Sequence, residues 1–207
     1  MSIVTLNDRA VRSVTAFGSL NTGSMVFIKK LTASSSGTLS FVNGTSDVVL
    51  DSTYKEYVFT LNNMHPQTSG NNPKMTASTN TGSSYGVTAT TTDFRATHDE
   101  SGGSEGVTYR TATDLAQSTD PVHIFGGTGT GNENDECAVG IIHLFNPSST
   151  TFVKHFIART HGYSDDDRAY SNFSAGYFNT TSAIDAIQFA NNSGNIDAGD
   201  ICLYRIL

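Results

Sequence analysis

Six histidines and a run of three aspartates are the residues of this chain best suited to hold a metal ion or to move a proton. His143 and His155 flank the turn sequence NPSST, so a hairpin there sets both on one face of a sheet. A zinc centre needs three or four converging ligands, and neither HExxH nor CxxC spacing occurs. The pair therefore reads as structural, either buried or at an interface. Asp165, Asp166 and Asp167 form an acidic loop beside His161. A calcium loop sets its carboxylates at alternate positions and closes on a bidentate glutamate, a pattern this run lacks. Arg168 is at hand to neutralise it.

Covalent catalysis finds little support. The chain has many serines, but none is read as a nucleophile elbow in an oxyanion-forming setting. The run GGTGTG at 126–131 suggests a phosphate cradle but lacks the Lys-Ser/Thr ending and following helix of a P-loop. No glycosidase pair stands out among 19 acidic residues. The chain is therefore read as a non-enzyme without a metal or cofactor. Aromatic residues offer a better hint of binding. Tyr163, Tyr170, Phe173, Tyr177 and Phe178 cluster near the acidic loop. Tyr163, Tyr170 and Tyr177 could stack on sugar rings while Asp165 and Asp166 accept hydroxyl hydrogen bonds. The same alternation suits core and inter-subunit packing better.

These residues must be carried by strands. The segment 54–66, YKEYVFTLNNMHP, has Tyr57, Phe59 and Leu61 on one face and Glu56, Val58, Thr60 and Asn62 on the other. It reads as a central strand of a sandwich. Further strands are expected at 25–31, 37–43, 47–50, 74–78, 85–92, 107–115, 122–125, 137–145, 151–159, 169–178, 183–189 and 201–207. Asn43-Gly44 is a hairpin signal, and polar loops are expected at 98–106 and 126–136. Roughly ten to twelve short strands at this spacing predict an all-β, antiparallel, jelly-roll-like sandwich. Residues 21–207 form the single domain, and residues 1–20 read as an N-terminal arm or a first strand.

Composition agrees. About a quarter of the chain is Ser or Thr, which compete with helical backbone bonding. Only 15% of the 207 residues are charged, and the formal net charge is −7. Twelve scattered Lys and Arg do not make the basic footprint that nucleic acid or an anionic membrane surface requires. No apolar run approaches the length of a membrane span, and MSIVTLNDRA lacks the form of a signal peptide. Cys137 and Cys202 read as free thiols in apolar strands, able to meet only if those strands are neighbours.

The phrases LNDRAVRSVTAFGSL, FIKKLTASSS, DSTYKEYVFTLNNMHP and SGNIDAGDICLYRIL span most of the chain. Together they resemble a family of small virion structural proteins of tailed bacteriophages, common in marine phage genomes. Members end in a strand resembling IKLYGI, whereas this chain has ICLYRIL, departing at Cys202 and Arg205. The resemblance implies a virion protein assembled in the host bacterial cytoplasm, with other virion proteins, the major capsid or tail protein, as partners. A head decoration or cement-type subunit forming a homotrimer is the first expectation. A tail fibre or adaptor, or a glycan-binding receptor-recognition module, is the alternative.

Overall fold

The computed structural model describes residues 24–103, 105–126 and 129–207, and all regular structure among them is β-strand. In chain order the strands are β1 (Met25–Thr32), β2 (Leu39–Val42), β3 (Glu56–Pro66), β4 (Pro73–Ser78), β5 (Ala89–Asp99) and β6 (Gly106–Tyr109). There follow β7 (Val122–His123), β8 (Ala138–Phe145), β9 (Lys154–Tyr163), β10 (Arg168–Phe178), β11 (Ala186–Asn191) and β12 (Ile196–Ile206). They form an eight-stranded sheet ordered β1-β12-β3-β8-β9-β10-β5-β6 and a four-stranded sheet ordered β2-β11-β4-β7. Every pairing is antiparallel, so the chain is the expected β-sandwich. The residues before Ser24, which include the arm or first strand expected at 1–20, lie outside the described residues.

The strand orders reveal how the chain is wound. β1 pairs with β12, β2 with β11, β3 with β8 and β4 with β7. These four pairs are one long antiparallel ribbon, folded so that successive pairs alternate between the two sheets. That winding is the double Greek key of a jelly roll. The other four strands are two insertions. β5 and β6 interrupt the ribbon between β4 and β7, while β9 and β10 interrupt it between β8 and β11. β9 adds to the edge strand β8, and β10 joins β9 to β5, so both insertions widen the same sheet.

The core lies inside the ribbon. Tyr57, Phe59 and Leu61 of β3 are buried on its inner face, as the alternation predicts. Phe59 meets Phe41 at 5.3 Å and Phe189 at 5.4 Å between ring centroids, edge to face across the two sheets. Such aromatic contacts stabilise by about 1 kcal/mol each beyond the area they bury. The four-stranded sheet cannot cover a partner twice as wide. Over β5 and β10 the inner face is closed by loops instead: Thr91 N–H donates to the Leu115 carbonyl at 2.9 Å, and Leu115 N–H donates to Thr91 Oγ1 at 2.8 Å.

Three expected strands change. Residues 47–50 do not pair, because the chain turns at Gly44 (φ 78°) and Asn43 Oδ1 accepts the Leu50 N–H at 2.9 Å. Val48 and Leu50 still enter the core, which is why they read as strand. The strand expected at 85–92 starts at Ala89 and runs on to Asp99, into the loop expected at 98–106. The strand expected at 107–115 stops at Tyr109, where Thr113 and Asp114 N–H both donate to the Arg110 carbonyl and wind a turn.

Candidate functional site

The outer face of the large sheet departs most from an ordinary protein surface. Strict alternation sends Lys154, Phe156, Ala158, Thr160 and Gly162 of β9 inward, and His155, Ile157, Arg159 and His161 outward. Register then aligns the outward residues of all eight strands. One row runs Tyr109, Phe94, Phe173, Arg159, Ile141, Thr60, Cys202 and Lys30. The next runs Thr92, Ala175, Ile157, His143, Val58, Tyr204 and Phe27. Nine large hydrophobic side chains stand exposed among the described residues. Seven of them, Met25, Phe27, Phe94, Val107, Tyr109, Val139 and Ile157, are on this face, with Ile157 53% exposed at its centre. Concentration on one face makes this a patch, where scattered exposure would need no explanation.

Side chains within the patch pack against one another. Phe94 and Phe173 stack at 4.9 Å and 6°, and the Arg159 guanidinium lies 5.1 Å over the Phe173 ring. Phe27 and Tyr204 meet edge to face at 5.7 Å. His143 Nδ1 bonds Glu56 Oε1 across β3 and β8. Outward positions of β8, β9 and β10 carry Arg159, His143, His155 and His161 but no carboxylate along these rows, in a chain with 19 acids. A shallow groove of about 470 Å³ crosses the same face, floored by Ala175 and Gly176 and walled by Phe145, His155, Ile157 and Tyr177. His155 and Tyr177 face each other at 5.8 Å between ring centroids.

The sugar-binding residues expected from sequence do not converge. Tyr170 is fully buried, because alternation along β10 places it inward with Asn172, Ser174 and Phe178. Its hydroxyl donates to Asp166 Oδ2 at 3.0 Å and its ring lies under Arg95, so it has no face free for a sugar. Tyr163 is half-buried beside the β9–β10 turn and donates to Asp167 Oδ1 at 3.2 Å. Asp166 is paired with Arg168 at 2.9 Å, while Asp165 is exposed. Tyr177 sits at the far end of β10, on the outer face, and only it lines the groove.

The remaining chemistry-bearing residues are also placed. His143 and His155 both face outward from β8 and β9, and neither belongs to a metal-holding group among the described residues. Cys137 and Cys202 are free; Cys137 lies just before β8 rather than in a strand, and Cys202 is on β12, with β3 between β8 and β12. One G-x-S-x-G spacing does occur, at Gly102 to Gly106. A nucleophile elbow joins a strand to a helix, whereas this motif falls between the strands β5 and β6. Comparison with known proteins finds no matching family model, no matching curated protein and no matching solved structure.

Proposed function

We propose that this chain is a structural subunit of a tailed-bacteriophage virion, a head decoration or cement-type protein that self-associates as a trimer and seats on the major capsid protein. One observation carries the reading: the outer face of the large sheet gathers seven of the nine exposed large hydrophobic side chains. The resemblance of its sequence phrases to small virion proteins is consistent with this reading. Size supports it too. Eight strands about 4.8 Å apart and about ten residues long make a face of roughly 1,000 Å². A standard interface buries about 800 Å² per partner. Few charges must lose water when such a face is covered, which lowers the cost of association. Around a threefold axis each outer face meets a different patch of its neighbour and the ring closes.

Light scattering tests this directly. The purified protein is expected at three times its 22.0 kDa mass and to co-sediment with empty phage heads. Ile157→Glu, which sets a carboxylate at the centre of the patch, is expected to leave a folded monomer. A wild-type monomer that ignores heads overturns the decoration reading, and binding to tails instead moves the subunit to a fibre or adaptor. The groove favours a second reading, recognition of a host glycan, because Tyr177 and His155 flank a sugar-sized hollow. Saturable binding of host polysaccharide that disappears in Tyr177→Ala would establish it.

A further inference from the structure

Where the two insertions meet, the inner face of the large sheet stops being apolar. Asp93 and Arg95 on β5 and Asn172 and Ser174 on β10 all point inward, under loops rather than under the small sheet. Asp93 is 2% exposed and already occupied: it accepts Thr113 Oγ1 at 2.5 Å and Ser174 Oγ at 3.1 Å. Two guanidiniums nevertheless share this space. Arg110, its side chain 12% exposed, comes no nearer to Asp93 than 3.9 Å and lies against the backbone of Gly126, where a Cβ would overlap it. Arg95 is register partner to Asn172 and lies 4.0 Å over the Tyr170 ring. One carboxylate thus faces two cations. Burial, and then the charge of Arg95, push the Arg110 pKa down, as crowded like charges do.

The hydrogen-bond balance is equally lopsided. Arg95 Nε and Nη1, Arg110 Nη1 and Asn172 Nδ2 are buried donors without a partner, and Asn172 Oδ1 is a buried acceptor without one. Asn172 is 1% exposed, so water from the bulk does not reach its amide. Orphaned groups of this kind destabilise a fold, and a lone buried charge does so more. Four donors and two positive charges call for an oxyanion, and the single acceptor calls for a hydroxyl on it.

We propose that Arg95, Arg110 and Asn172 form a binding site for a compact hydroxylated oxyanion, a hydrogen phosphate or a hydroxy-acid carboxylate. The oxyanion accepts from both guanidiniums and from the Asn172 amide, and its hydroxyl donates to Asn172 Oδ1. Planar guanidinium forks suit either anion in a bidentate mode. Site and assembly face lie on opposite sides of the sheet, so this inference stands apart from the virion reading.

The test is thermal unfolding and titration calorimetry of the full chain with inorganic phosphate and with glucuronate, against chloride at matched ionic strength. A saturable rise in Tm with either probe is expected, and the more effective one identifies the source of the oxyanion. Arg95→Gln is expected to weaken that response by about tenfold or more. Asn172→Leu separates binding from structure. If the amide serves a ligand, the folded variant gains stability without ligand and loses the response; a merely structural amide would cost stability when removed. No saturable response to either probe, or an Asn172→Leu protein that responds like wild type, overturns the proposal.

Discussion

His123 shows how a single buried side chain links this fold to pH. Its Nδ1 is buried without a partner, and burial first, then the charges of Lys74 and Arg110, lower its pKa from 6.5 to about 4, with Asp120 opposing. In the unfolded chain the imidazole takes up a proton near 6.5, whereas the folded protein resists protonation until about 4. The unfolded state therefore binds more protons in that window, and stability is present above it and is lost as pH falls through it. His123→Asn, which cannot be protonated, is expected to lose less stability than wild type between about pH 7 and about pH 4.5. The comparison of urea midpoints checks this, since carboxylate contributions are common to both proteins. Equal losses would mean that His123 is protonated alike in both states. Tyr170 teaches a related lesson at the same scale. Its type and its neighbouring aspartates suggested a sugar platform, but which face of β10 it occupies depends on where the inner side of the sheet lies, and a lone strand does not reveal that.

Strands were legible where alternation was strict and turn residues bounded it. β3, β8 and β9 lie close to their expected places because each carries a clean inward set, Tyr57, Phe59 and Leu61 in β3 and Phe156 and Ala158 in β9, whereas β12 begins at Ile196, inside the stretch read as a joining loop. The failures have physical causes. Val48 and Leu50 are core residues on a non-strand segment, and Thr97 to Asp99 are strand residues with loop composition. Nor does alternation say which strands pair over long separations, so neither the division into eight and four strands nor the two insertions could be read. The polar inner face followed from that division and was equally hidden. Irregularity inside elements is also tertiary in origin. In β12 the register shifts between Ala198 and Asp200, where Gly199 has φ 116° and presses against the Asn63 carbonyl of β3. A Cβ there would stand 2.6 Å from that oxygen, in a conformation side chains rarely adopt. Gly199→Ala is expected to destabilise by roughly 2 kcal/mol or more, measured by chemical denaturation with circular dichroism. An unchanged midpoint would show that the bulge relaxes at little cost.

At the scale of the molecule, the jelly-roll ribbon and its insertions divide the work. The ribbon encloses the aromatic core of Phe41, Phe59 and Phe189, while β9, β10, β5 and β6 extend one sheet and double its outer face. A wider sheet gains inner surface that the small sheet does not cover, and it gains outer surface that water must cover in a monomer. Exposed Ile157, Phe94 and Tyr109 are all on, or pair through, these inserted strands. If a second copy covers them, folding and association are linked, and apparent stability must depend on protein concentration. The wild-type Tm is therefore expected to rise as protein concentration is increased about a hundredfold, because mass action favours the oligomer. Ile157→Glu is expected to lose that dependence while keeping the monomer's fold, since residue 157 points away from the core. Scanning calorimetry over a dilution series reads both outcomes. A wild-type Tm that does not move with concentration, in a protein whose mass is that of one chain, would mean that the outer face is covered by a different protein or by nothing. Co-sedimentation with phage heads then separates those two cases, because only a partner on the particle would carry the lone subunit down.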